Sequence, residues 1–362
     1  MSSRSKPSLI TKVLCMIAVG VGLTTATGPA WAQEKVNIAL FSWPGYAWWF
    51  VAKEKNLAPD LDLNIQIIED PYQSFSLMAS GGLDVASSTM EYAPIAGEAG
   101  HPIKIVGVTT TCHGSDNIIL APGMKSAADV KGKKIIAMEG GLSQIYVGWW
   151  LEQNGVDAND AEYVNVIMDD AASAMIAGEA AAGEFWEPFG SMVLKGLEGS
   201  TVASNCKEPF WLKTALLSDA MFMRSDFISD RRDVAVKVMR AYWDAVAYWL
   251  ENPDEAAQIM ADGLKFDIKD VEAVIGPHGD RTKSLLWIYD FMQAASFCGV
   301  APGKAPFGQA NGQIYQVMNW VNDWWLKFGH MKERVAPARY VDCSLMREMY
   351  ETGYAGEPEP NY

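Results

Sequence analysis

Residues 117–138 read NIILAPGMKSAADVKGKKIIAM. Asn117–Leu120 is a short apolar β-branched run, which reads as a strand. Ala121, Pro122 and Gly123 make a turn, because proline presets φ and glycine tolerates positive φ. Ser126 opens a short helix that Gly132 stops, and Lys134–Met138 is a second strand. The same alternation continues downstream: a helix over Ser143–Asn154 closed by Gly155, a strand over Tyr163–Ile167, a helix from Asp169 to Gly178, and a strand through Ala181–Phe185.

Upstream, the chain has already used this grammar once. Val36–Leu40 reads as a strand, followed by a turn at Trp43, Pro44 and Gly45 and a helix from Tyr46 to Asn56. Leu63–Ile68 is a strand, and Pro71 opens a helix ending at Gly81 and Gly82. Leu83–Ser87 is a strand, Glu91–Ala99 a helix and Ile103–Val108 a strand. Short apolar strands alternating with helices predict largely parallel sheets covered on both faces. Residues 117–138 therefore mark a restart, and a restart predicts two α/β lobes. A short echo agrees: Met78–Gly81 and Met175–Gly178 each precede a strand, with a glycine suited to the left-handed cap of a helix. The last third is predicted to be helical, over Asp230–Leu250, Pro253–Ala261, Ile268–Ile275, Leu285–Phe297 and Gln313–Phe328. Trp243, Trp249, Trp287, Trp320, Trp324 and Trp325 fall there at helical spacing and read as packing.

The ends and the charge bound the setting. Arg4, Lys6 and Lys12 precede an apolar stretch, Val13–Leu23, which leads to Ala30, Trp31 and Ala32. A basic start, a short apolar middle and a small-residue exit predict a secretory signal over residues 1–32. The apolar stretch is about half the ~20 residues of a spanning helix. Lys12, Val13 and Leu14 make a poor lipobox before Cys15, so a free protein starting near Gln33 is expected. Removal of the three basic residues would take the net charge from −15 to −18. That excludes the basic footprint of a nucleic-acid binder. Residues 356–362, rich in proline and glutamate, read as a disordered tail.

Four segments then carry a resemblance: Gly45–Leu57, Ser80–Ala86, Lys125–Lys133 and Phe185–Phe189. In this order and spacing the chain resembles the nitrate/taurine/sulfonate-type periplasmic substrate-binding proteins of ABC importers, across Val36–Phe328. The resemblance implies an α/β fold of two lobes, type II-like, with a ligand cleft between them and a helical C-terminal part. It places lobe one at residues 33–110 and 217–355 and lobe two at 111–216, with crossings near Thr109–Ser115 and Thr214–Ala220. It implies a small-molecule solute, a membrane permease and an ATPase as partners, and a periplasmic monomer that meets the membrane only through that complex, without cofactor or metal. Cys112, Cys206, Cys298 and Cys343 allow three disulfide pairings, or four buried thiols. Pairing within lobes would join Cys112 to Cys206 and Cys298 to Cys343.

Ligands of open α/β sheets sit beyond the carboxyl ends of strands. That rule selects Trp43, Tyr46 and Trp48 after the first strand and Thr89 and Glu91 after the third. In lobe two it selects Glu139, Ser143, Gln144, Trp186 and Glu187, and at the second crossing Asp219. Two features stand out in this set. It is rich in flat aromatic rings, which stack planar ligands or surround cations, and it carries carboxylates without a lysine or arginine. A guanidine- or urea-like solute is favoured, with a pyrimidine or a small oxyanion such as nitrate, taurine or an alkanesulfonate as alternatives. Each ring has core packing as its competing role, and each acid has helix capping.

An enzyme is the rival class. The histidines are His101, His113, His278 and His330, and no GxSxG, HExxH or phosphate loop accompanies them. A pyrimidine-precursor synthase on the same architecture is the best enzymatic alternative, but a secretion signal does not fit it.

Overall fold

The structure, a computed structural model, describes residues 33–356. The expected signal segment, and all of the expected tail except Gly356, lie outside the described residues. Two sheets carry the chain. The first is ordered β11-β4-β10-β3-β1-β2, formed by β1 (Glu34–Leu40), β2 (Leu61–Ile67), β3 (Val85–Thr89), β4 (Ile103–Cys112), β10 (Ser218–Arg224) and β11 (Leu286–Ile288). The second is ordered β7-β6-β8-β5-β9, formed by β5 (Asp116–Leu120), β6 (Lys134–Ile136), β7 (Glu162–Val164), β8 (Ala182–Trp186) and β9 (Thr201–Asn205). The mixed α/β architecture with a helical C-terminal part is as expected from the restart.

The sheets are mixed rather than largely parallel. β1 pairs in parallel with β2 and β3, but β10 runs antiparallel between β3 and β4. In the second sheet β6 is parallel to β7 and β8, whereas β5 is antiparallel to β8 and β9. The reason is topological. The strand that enters each sheet after a crossing comes from the side where the other strands end, so it must run against them. The crossings are residues 113–115, between β4 and β5, and residues 206–217, between β9 and β10. They lie side by side, with Cys112 N donating to Leu217 O at 2.8 Å.

Other departures have local causes. The segment 285–297 is not one helix. Leu286–Ile288 pairs with the free edge of β4, and Asp290 then caps a new helix, Phe291–Phe297, by accepting from Gln293 N at 2.8 Å. β9 and the helix Phe189–Gly196 had no reading at all, because β9 is an edge strand, largely exposed and without an apolar run.

The tryptophans of the helical third pack as expected. Trp249 is fully buried, and Trp324, on the helix Ile314–Phe328, lies 5.6 Å from Trp149 on the helix Leu142–Gln153. Gly148 makes this approach possible. A Cβ there would sit 2.6 Å from Phe328 Cζ and 2.9 Å from Trp324 Cζ3. Gly148→Ala is expected to destabilise the protein by about 1–3 kcal/mol through overpacking, read as a lower urea midpoint with an unchanged slope.

Candidate functional site

The topology brings two acids to matching places. Because β10 runs against β3, its first residues lie at the carboxyl end of β3, where Asp219 pairs with Thr89. Because β5 runs against β8, its first residue lies at the carboxyl end of β8, where Asp116 pairs with Trp186. Each sheet thus presents one carboxylate where ligands of such sheets bind. Between them is a cavity of about 210 Å³.

Trp43, Tyr46, Thr89, Ser143, Trp186 and Asp219 all line this cavity. The turn Pro44–Tyr46 after β1 positions the first two. Tyr46 Oη donates to Asp219 Oδ1 at 2.7 Å, Trp43 Nε1 lies 3.4 Å from Oδ2, and Thr110 Oγ1 donates to Oδ2. Burial pushes the Asp219 carboxyl up to about 6, although the bonds from Thr110 and Tyr46 oppose the rise. Phe41, Tyr92 and Phe189 add rings, and the rings of Phe41 and Trp186 lie 6.4 Å apart, inclined at 42°.

Five of the candidates lie elsewhere. Trp48 is core: it is fully buried and stacked on Trp249 at 5.6 Å, because the helix Trp48–Glu54 turns that face toward the helical third. Glu139 is exposed and outside the cavity wall. Gln144 Oε1 accepts from Gly140 N at 2.8 Å and lies 2.7 Å from His330 Nε2. Glu187 accepts from Ser191 N at 3.1 Å, which ties it to the first turn of the helix Phe189–Gly196. Glu91 stands just behind the wall. Its Oε1 accepts from Thr89 at 2.5 Å, its Oε2 is buried without a partner, and burial pushes the carboxyl up to about 8.

Sequence reasoning missed four polar residues. Ser42 and Glu69 line the mouth and hydrogen-bond each other. Glu69 follows β2, so the carboxyl-end rule would have found it. Asp116 begins a strand rather than ending one, and only the antiparallel insertion of β5 brings it to the cavity. Glu184 is fully buried in the middle of β8. A glutamate inside the apolar segment Ala182–Trp186 was itself the signal, since a buried carboxyl without a cation is disfavoured.

The cysteines form two disulfides, Cys112–Cys206 and Cys298–Cys343. The pairing is the one proposed, but the reason differs for the first. Cys112 ends β4 of the first sheet and Cys206 follows β9 of the second, so this bond joins the two crossings rather than lying within one lobe. Cys112 also lines the cavity.

Comparison with known proteins agrees with this architecture. A "Putative binding protein" of Brucella abortus (strain 2308) is 24% identical over 226 residues, 61% of this chain and 69% of that protein. The periplasmic nitrate-binding protein NrtA from Synechocystis PCC 6803 superposes with a TM-score of 0.67 at 15% identity, covering 89% of each chain. The alkanesulfonate-binding protein SsuA from Xanthomonas axonopodis pv. citri, bound to MOPS, superposes with a TM-score of 0.65 at 17% identity, covering 86% of this chain and 99% of that one. These two share the fold. The NMT1/THI5-like family profile matches residues 43–256, more than half of the sequence. By that match, and in keeping with the resemblance read from its segments, the chain belongs to the NMT1/THI5-like family.

Proposed function

We propose that this chain is the periplasmic solute-binding component of an ABC importer, and that its solute is a small planar molecule rich in N–H donors, guanidine- or urea-like. One observation carries the choice of solute. Glu69, Asp116 and Asp219 line the cavity, and no lysine, arginine or histidine lines it among the described residues. Carboxylates removed from water need a cation or several donors. A guanidinium supplies both in one plane, matched to two carboxylates at once. The surrounding rings, Trp43, Tyr46, Tyr92 and Trp186, offer faces to a flat cation. An anion of the kind named for the nitrate- and sulfonate-binding neighbours would meet three carboxylates and no cation. A pyrimidine stays the alternative, and the rings of Phe41 and Trp186, inclined at 42° to each other, both border the cavity it would enter.

The reading is not catalytic. Among the described residues the cavity wall holds no histidine and no free thiol, and its acids are hydrogen-bonded to hydroxyls and an indole. Delivery to a permease and its ATPase is part of the proposal, supported by a cavity that lies between the two sheets. Trp43, Tyr46, Thr89, Ser143, Trp186 and Asp219 are the proposed ligand contacts from the sequence reading, joined by Asp116 and Glu69.

Thermal unfolding tests this directly, because a ligand that binds only the folded state stabilises it, by about 2.7 kcal/mol at 100 times Kd, and so raises its melting temperature. Guanidinium at low concentration, methylguanidine or urea is expected to stabilise the protein, with nitrate, taurine and alkanesulfonates without effect. Stabilisation by the anions alone would overturn the reading.

A further inference from the structure

Glu184 has no structural partner that explains it. It lies on the central strand of the second sheet, fully buried, with Ser143 donating to its Oε2 and no protein donor reaching its Oε1. Its other neighbour is Asp116, a second buried carboxyl on the adjacent strand. The register explains the meeting. Asp116 is opposite Trp186 and Ile118 is opposite Glu184, so the two acids are diagonal neighbours on one face of adjacent strands. Two carboxyls buried side by side without a cation do not both stay ionised, so one holds a proton. Asp116 reaches the cavity wall, and Glu184 stands behind it.

The other groups facing the pair do not supply a cation. They are the Ser115 and Ser143 hydroxyls, the Glu187 and Asp219 carboxyls and the Tyr146 phenol. Among the described residues no lysine, arginine or histidine hydrogen-bonds or ion-pairs with either acid. Burial raises both carboxyls, Asp116 to about 6 and Glu184 well above its ordinary value, and the charge on Asp116 raises Glu184 further.

We propose that Asp116 and Glu184 form a proton-sharing pair, and that a monocationic solute docking against Asp116 displaces the shared proton into solvent. The proposal rests on the cation reading above. The exchange balances: one positive charge enters, one proton leaves to water or buffer, and the carboxyl that held it becomes ionised, so two carboxylates face the cation and the net charge of the site is unchanged. Glu184 thereby acts as a positioning and specificity residue. A neutral solute such as urea cannot replace the proton's charge, so the pair favours a guanidinium over its neutral analogue.

The test is calorimetric titration of the intact protein with guanidinium near pH 7 in phosphate and in Tris, whose ionisation enthalpies differ. Proton release appears as a heat that depends on the buffer. Glu91 can also release a proton on binding, so the readout is the difference between wild type and Glu184→Gln. The variant is expected to bind about tenfold more weakly and to release about one proton fewer. Infrared difference spectra of the wild type supply a measurement that needs no variant: a protonated-carboxyl band should be lost when guanidinium is added. Binding with the same proton release in both proteins, or without loss of that band, would overturn the proton-sharing pair and leave the cation reading intact. Absence of guanidinium binding would overturn both.

Discussion

Asp219→Asn should weaken guanidinium binding by about 100-fold, or ~2.7 kcal/mol, while raising the stability of the ligand-free protein. The amide keeps the shape of the carboxylate: Tyr46 retains an acceptor, the Thr110 hydroxyl can turn to accept from the amide nitrogen, and only the 3.4 Å contact from Trp43 Nε1 is lost. What is removed is the charge, which is 95% shielded from water and meets three donors but no cation. Losing one partner of a buried charge pair costs about 2–5 kcal/mol in an interface. The stability effect has the opposite sign. A carboxyl moved from 3.8 to about 6 by burial disfavours the ionised folded state. The penalty is absent below about pH 3.8, grows between there and pH 6, and is fully present above pH 6, where it amounts to at most ~3 kcal/mol. Wild type without ligand should therefore gain stability on acidification from pH 7 to pH 5, and Asp219→Asn should show a flatter profile. Cation affinity should move the other way and fall over the same window as the acids take up protons. Calorimetric titration and thermal unfolding at both pH values check the pair of effects. Unchanged affinity in the variant would remove Asp219 from the site.

Function and stability conflict here because the same burial that weakens the empty fold strengthens the electrostatic grip on a cation. The conflict also explains what could be read from the sequence. Strands of the first lobe were legible to within a few residues, because β1, β2 and β3 alternate with helices that Pro71 and glycines delimit. Strand direction was not legible. Nothing in Ser218–Arg224 or Asp116–Leu120 states that these strands enter antiparallel, since direction depends on where the crossing leaves the chain. This one unreadable feature decided the site. Asp219 was found because it lies near a crossing. Asp116 was missed because it precedes the strand read over Asn117–Leu120, and the carboxyl-end rule selects only residues that follow strands. Trp48 illustrates the converse limit. Two consecutive tryptophans on one helix cannot both face the cleft, and both proved to be core, Trp48 on Trp249 and Trp49 donating to Ser87.

The disulfide between the crossings should contribute the largest single increment of stability. Cys112 and Cys206 are 94 residues apart in sequence, against 45 for Cys298 and Cys343. Cross-linking removes chain entropy from the unfolded state in proportion to the logarithm of the loop length, which gives about 4.7 kcal/mol for a loop near 100 residues. The shorter loop should contribute slightly less, by under ~1 kcal/mol. The double replacement Cys112→Ala and Cys206→Ala avoids leaving a lone thiol in the wall, and is expected to lower stability by about 3–5 kcal/mol in urea unfolding. The position of the bond adds a second expectation. It clamps the two crossings next to Asp116, so its loss frees the cavity wall as well as the unfolded chain. Guanidinium affinity should fall in this variant. Cys298→Ala with Cys343→Ala should lose comparable stability yet keep its affinity, because that bond ties the helix Phe291–Phe297 to the C-terminal segment away from the cavity. Equal affinity in both variants would mean that the clamp sets stability alone.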